Sequence, residues 1–172
     1  PSIVSASDIP EDKTVIYAST PSYVGSHITG FANMVQGMVK CVAEVKEEEN
    51  HGKINIIPGF VNPGDIREIK RIVETIGIDY TMFPDTSGVL DSPLTGEYEM
   101  YPRGGTPIKE IKDSGNAKAT IGLGSFASEK GTFELENKCD VNPYILKTPI
   151  GVKATDEFIM QLSKLTGEEV PY

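Results

Sequence analysis

Tryptophan is missing from the 172 residues, cysteine occurs only twice, and no basic stripe interrupts an acidic chain of net charge −9. Each scarcity excludes something. Cys41 and Cys139 lie far apart, with no Cys-x-x-Cys and no paired histidines nearby, so neither a zinc site nor a disulfide framework is suggested. An excess of carboxylates repels phosphate backbones, which makes nucleic acid an unsuitable partner. No apolar run approaches the roughly 20 residues that span a bilayer, and no signal peptide is visible, so the expectation is no membrane and a reduced, cytoplasmic setting. The chain starts at Pro1 instead of a Met, as expected of a piece excised from a longer protein.

What is present suits a compact α/β protein. Hydrophobic residues make up 38% of the chain, enough for one domain over residues 1–172 whose core needs no cross-links. The dense acidic block EVKEEEN at residues 44–50 reads as a solvated helix end.

Strand and helix patterns alternate. TVIYAS (14–19) reads as a buried strand, and Phe31, Met34, Val35, Met38, Val42 and Val45 then recur at helical spacing from about residue 28 to 48. KINIIPG (53–59) is the next strand; Asn62 caps a helix with Pro63 at its first position, Ile66, Ile69, Val73 and Ile76 as its stripe, and Gly77 at its end. DYTMFPD (79–85) is a third strand, followed by an irregular stretch at 85–105 long enough to be a functional or interface excursion. A short helix capped by Thr106, a strand KATIGLG (118–124), a helix SEKGTFELENKC (128–139) weakened by Gly131, a strand YILK (144–147) and a last helix capped by Thr155 and stopped by Gly167 complete the order. This alternation predicts a three-layer, Rossmann-like α/β domain: a mostly parallel sheet of four or five strands with helices on both faces. Ligands of such sheets meet the loops beyond the carboxyl ends of the strands, and the turn at 20–30 is read as one of those loops.

Candidate chemistry is sparse. GLGSFA (122–127) matches a dinucleotide-binding G-x-G-x-x-A, but Leu146, Lys147 and Thr148 stand where a ribose-binding acid belongs, so tight strand-to-helix packing is preferred. DTSG (85–88) has no second copy to form an aspartic-protease pair, and a turn in which Asp85 and Ser87 bond their own backbone is the better account. His51 reads as a surface residue and Cys41 as a small core residue. His27 has the chemistry of a general base, a proton relay or a hydrogen-bond donor to a ligand, with no nucleophilic triad around it. Ser22 follows Pro21 in a turn where Gly25 and Gly30 permit close approach; a well-capped turn and a binding loop both remain open.

Longer stretches carry a resemblance. TPSYVGSHITGFANMVQGM (20–38), KINIIPGF (53–60), REIKRI (67–72), DTSGVLDSPLTGEYEMYPRGGTP (85–107) and TPIGVKATDEFIMQLSKLTGEEVP (148–171) together resemble the middle region of the β-subunit of nitrogenase component 1, the molybdenum-iron protein. The resemblance covers essentially all of 14–171. It implies the second of three α/β domains, with the cysteine-bearing region upstream and the third domain absent. It further implies an eight-iron P-cluster (8Fe-7S) shared with the α-subunit, an α2β2 heterotetramer with a second β-subunit, and electron delivery by a separate ATP-hydrolysing iron protein for reduction of dinitrogen to ammonia. Cys41 and Cys139 match no ligand position, and no cofactor is expected on this stretch alone, nor any catalysis by it. Ser22 matches the serine whose oxygen binds an iron of the oxidised P-cluster, and His27 a residue of its outer shell. The rivals within the fold are the β-subunits of vanadium-iron and iron-only nitrogenases, which share the loop, and a cofactor-assembly scaffold, which lacks the PSYVGSH pattern. A rival of another class is a stand-alone nucleotide- or anion-binding module.

Overall fold

The computed structural model describes residues 9–10, 13–45, 52–93, 96–100 and 103–170. Among these the elements run α1 (His27–Val42), β1 (Ile54–Ile57), α2 (Pro63–Ile76), β2 (Tyr80–Met82), α3 (Ile108–Asp113), a 3-10 turn (Ser114–Asn116), β3 (Ala119–Leu123), α4 (Ser125–Cys139), β4 (Asn142–Leu146) and α5 (Gly151–Thr166). The four strands pair in the order β2-β1-β3-β4, all parallel. The expected three-layer α/β architecture is therefore the one observed.

Side chains of β1 alternate between two helical layers. Ile54 and Ile56 pack with Ile66, Ile69 and Val73 of α2 and with Phe158 and Leu162 of α5. Ile57 points the other way, into a cluster with Val35, Val39 and Val42 of α1, Ile111 of α3 and Leu135 of α4. Every residue of β1 and β3 is buried, as expected of inner parallel strands covered on both faces.

The stretch at 14–19 corrects the sequence reading, because it forms no strand. It lies along α1 instead: Asn33 Nδ2 donates to Ser19 O at 2.8 Å, and a Cβ on Gly37 would stand 2.5 Å from Tyr17 O. Ile16 alone of its apolar residues joins the core cluster, while Val15 and Tyr17 are exposed. A β-branched run reports extended chain with an apolar side, but not whether a sheet edge is there to receive it.

Helix boundaries shift where a cap was assigned from residue type alone. α1 ends at Val42, six residues short of the expectation, and residues 46–51, which include most of the acidic block and His51, lie outside the described residues. Pro107, and not Thr106, precedes α3; the Thr106 hydroxyl instead donates to Met82 O and accepts from the Asp85 N–H. α5 begins four residues before Thr155, whose hydroxyl donates to Pro149 O, and α4 begins three residues before Ser128. Asn62, Pro63, Gly77 and Gly167 stand where expected, the two glycines left-handed at helix ends.

Gly131 is the point at which α1 and α4 meet. A Cβ there would stand 2.6 Å from Val35 Cγ1 and 3.1 Å from Ile57 Cδ1. Gly131→Ala should destabilise the chain by about 1–3 kcal/mol through overpacking, although alanine is the better helix former by ~1 kcal/mol. Gly30→Ala, in α1 with nothing within 4 Å of the added carbon, should stabilise by about 0.5–1 kcal/mol. Urea unfolding of the two variants beside the parent checks the opposite signs.

Candidate functional site

α1 precedes β1 and runs antiparallel to it, so its N-terminus lies at the carboxyl edge of the sheet. Phe60, just beyond β1, records this: its ring centroid is 5.2 Å from that of His27 at an interplanar angle of 60°, and 5.2 Å from that of Phe31 at 71°. Both contacts are edge-to-face, the arrangement that aromatic quadrupoles favour. His27 is thus held against a ring at the first position of α1, while staying exposed.

The turn leading into the helix is fixed at both ends. Asn33 holds Ser19 O, and the Ser26 N–H donates to Thr29 Oγ1 at 3.3 Å. Between these anchors Tyr23 and Gly25 both take left-handed φ, 61° and 79°. Gly25 has no alternative, since a Cβ would lie 2.5 Å from Thr29 Oγ1. Ser22 and Tyr23 form the turn itself, and Ser22 is exposed with no hydrogen bond among the described residues. The loop at 20–30 therefore stands at the carboxyl edge as expected, although α1 and not a preceding strand puts it there.

Beside it is the crevice where the strand order reverses, between β1 and β3. A cavity of about 390 Å³ is lined there by Ile28, Phe60, Gly124, Ser125, Phe126 and Thr148 among others. Such switch points are where open α/β sheets bind ligands. GLGSFA contributes, but its glycines serve packing. A Cβ on Gly122 would stand 2.5 Å from Thr132 Oγ1 and 2.8 Å from Ser128 Oγ, and the Gly124 N–H is already donated to Leu146 O at 2.8 Å. Close approach of α4 to β3 accounts for the motif, as preferred from sequence.

The two cysteines lie at the other end. Both stand near the C-termini of helices antiparallel to the strands, and Cys139 Sγ would be 2.9 Å from a Cβ on Gly115, which precedes β3. Both are half-buried at the margin of the core cluster, and burial pushes the Cys139 thiol up. Neither thiol is near Ser22. Among the described residues no group of three or more His, Cys, Asp or Glu stands close enough to hold a metal ion. Against a metal group the edge at 20–30 offers no thiolate; its oxygen donors are exposed hydroxyls, Ser22 among them with Thr20, Tyr23 and Ser26, and His27 adds an imidazole.

Two features of this edge are missed by sequence reasoning. Phe60 carried a signal, an aromatic directly after a buried strand and its Pro-Gly. The other is the tether of the loop after β2. Arg67 makes paired bonds to Asp91 (3.0 and 2.7 Å) and one to Ser87 O, and Lys70 Nζ donates to Asp85 Oδ2 at 2.8 Å. Basic residues three apart on α2, facing a loop with aspartates, were its sequence trace. The Ser87 N–H closes the expected Asx turn on Asp85 Oδ1 at 2.9 Å.

Comparison with known proteins identifies the family. A family model described as "Nitrogenase component 1 type Oxidoreductase" matches residues 2–172. The chain belongs to that family. It is 63% identical over 166 residues to the nitrogenase molybdenum-iron protein beta chain of Clostridium pasteurianum, covering 96% of this chain and 36% of the relative. It is 45% identical over 169 residues to the corresponding chain of Nostoc sp., covering 97% and 33%. A solved structure described as "Nitrogenase Cp1 at pH 6.5" superposes with a TM-score of 0.92 at 60% identity, covering 99% of this chain and 37% of that one. This member of the family thus spans about a third of the length of these relatives.

The tether gives a pH dependence. Burial raises the Asp85 pKa, but hydrogen bonds from Lys70 and Ser87 and the ammonium charge outweigh it, so the net shift is downward; the bond from Arg67 lowers Asp91. A depressed carboxylate contributes stability above its unfolded pKa, about 3.9, and loses it as pH falls through the folded value. Amide protection at 85–91, corrected for the pH dependence of intrinsic exchange, should stay flat from about pH 8 to 5 and fall below ~4. Lys70→Met should open the same segment at neutral pH, at a cost of about 1 kcal/mol in this partly solvated setting.

Proposed function

We propose that this chain is the second domain of the β-subunit of a molybdenum-dependent nitrogenase component 1, and that Ser22 is its contact with the P-cluster. The observation that carries the reading is the place of Ser22. Its hydroxyl is exposed on a doubly anchored turn at the carboxyl edge, within a stretch 63% identical to a molybdenum-iron protein beta chain.

The residues present suit part of a cluster's shell and not the whole. Ser22 would hold it through Oγ, and His27, steadied by Phe60, would stand in the outer shell. The thiolates that make up most such shells must come from outside this chain, because Cys41 and Cys139 lie at the opposite edge. When bound, an iron–sulfur cluster stores and passes electrons, and its irons harden on oxidation, which favours an oxygen donor. The chain's part is to present Ser22 Oγ and release its proton there, under a local positive charge strong enough to draw it.

The same edge supports the larger assembly. Tyr23, Val24, Phe60, Phe126, Ile150 and Val152 are all exposed along it, the kind of apolar surface that mates with other protein. In the proposed assembly that surface meets an α-subunit and the rest of the β chain. Two such pairs form an α2β2 heterotetramer fed by the iron protein in the cytoplasm. No helix among the described residues is long and apolar enough to cross a membrane. Dinitrogen reduction then belongs to the complete complex, and this domain alone has no activity.

In the complete complex Ser22→Ala should leave the iron content of the resting protein nearly intact and change the midpoint potential, or its pH dependence, for the oxidised cluster. An unaltered redox titration removes Ser22 from the role. The switch-point crevice favours a second reading, a stand-alone nucleotide or anion module. Calorimetry of residues 1–172 against nucleotides and phosphate should show no saturable heat; saturable binding would favour the module.

A further inference from the structure

We infer that Tyr23 is a positioning residue for Ser22, acting through its backbone and not its ring. The inference rests on the reading that Ser22 meets iron. A tyrosine at φ 61° is in a region that glycine and asparagine visit readily and bulky residues seldom do. Such a conformation persists only where the surroundings impose it. Nothing that the ring touches does so, since the Tyr23 side chain is fully exposed.

The imposition comes from the two ends of the turn. On one side Pro21 fixes its own φ, and the chain before it is held to α1 by the Asn33 bond to Ser19 O. On the other, Gly25 sits against Thr29, and the Ser26 N–H is bonded to Thr29 Oγ1. The chain must leave the flank of α1 and reverse into that helix's own N-terminus within the few residues between these anchors. The left-handed Tyr23 makes that reversal, and Ser22 sits at its apex, outward-facing and without a competing hydrogen bond among the described residues. Returning Tyr23 to an ordinary negative φ is a rotation of roughly 120° one residue from the hydroxyl. Either the anchors break or Ser22 Oγ points elsewhere. Gly25 is explained by the space against Thr29; Tyr23 is explained only by where it sends its neighbour.

The test uses the complete component 1 with its partner chain and clusters, and compares four proteins: parent, Ser22→Ala, Tyr23→Gly and Tyr23→Val. Glycine removes the ring and keeps positive φ easy, whereas the β-branched valine disfavours it strongly. The readouts are iron content and the midpoint potential of the oxidised couple across pH. Tyr23→Gly should titrate like the parent. Tyr23→Val should shift in the direction of Ser22→Ala and by a comparable amount, with iron content retained. Should Tyr23→Val not assemble, Tyr23→Thr repeats the test with a smaller β-branched side chain. A parent-like titration of the β-branched variant beside a shifted Ser22→Ala overturns the positioning role and leaves Ser22 standing. A shift in Tyr23→Gly equal to that in the β-branched variant also overturns it, because the ring would then be responsible. A parent-like Ser22→Ala removes the underlying reading and this inference with it.

Discussion

The placement of α1 against α4 is the constraint on which the candidate site depends. Among the described residues no strand of the sheet precedes α1, so no βα connection seen there fixes where its N-terminus falls. Its position comes from sideways packing, with Val35 entering the space left by the absent side chain of Gly131. Gln36 reinforces the contact by donating to Glu134, Lys130 donates to Asn33, and Lys138 reaches the Val39 and Lys40 carbonyls at the end of α1. The cation at that end also suits the helix dipole. With α1 set in this way, its first turn arrives beside Phe60, and the loop bearing Ser22 can only emerge at the carboxyl edge.

The two edges of the sheet differ in a way that follows from this arrangement. At the amino edge polar groups of the chain meet one another around a small cavity, although the buried Asn55 Oδ1 has no hydrogen-bond partner among the described residues. Asn55 Nδ2 donates to Ser114 O and Thr120 Oγ1, and the Glu44 N–H donates to Lys112 O beside a Lys112–Glu44 ion pair. The carboxyl edge instead exposes aromatic and aliphatic side chains around a crevice. An edge that satisfied its own groups would gain nothing from such exposure; one that mates with other protein recovers it on assembly.

Much of this was legible in the sequence, and what was not has a common cause. Strands β1 and β3 and the stripes of α1 and α2 were readable because burial on two faces leaves continuous apolar runs, and burial on one leaves a helical period. Asn62-Pro63 and the left-handed Gly77 were readable because the geometry they serve is local. The stretch at 14–19 was misread because its fate depends on α1, which donates to Ser19 O through Asn33 and presses on Tyr17 O through Gly37. Thr106 looked like a cap for the same reason: its residue type fits, but Met82 and Asp85, more than twenty positions earlier, hold its hydroxyl. Gly131 read as a weakness in its helix and is a place where α1 packs closely against it, with Val35 Cγ1 2.6 Å from where a Cβ would stand. In each case the deciding partner is distant in sequence, and no local pattern reports it.

The role assigned to Ser22 sits at the boundary between those two kinds of information. Its residue type and its neighbours Pro21 and Gly25 describe a turn and no more. Iron enters only through the proposed function, and the fold places Ser22 on an exposed edge. The structure also supplies rigidity, since an exposed hydroxyl on a mobile loop would lose much of its ligand strength to the entropy of being ordered. Anchors at Ser19 and Ser26, a left-handed Tyr23 between them and an imidazole set against Phe60 remove that loss before any partner arrives. In the proposed role this chain would contribute less a ligand than a direction: the Ser22 oxygen, held outward at the rim of a parallel sheet.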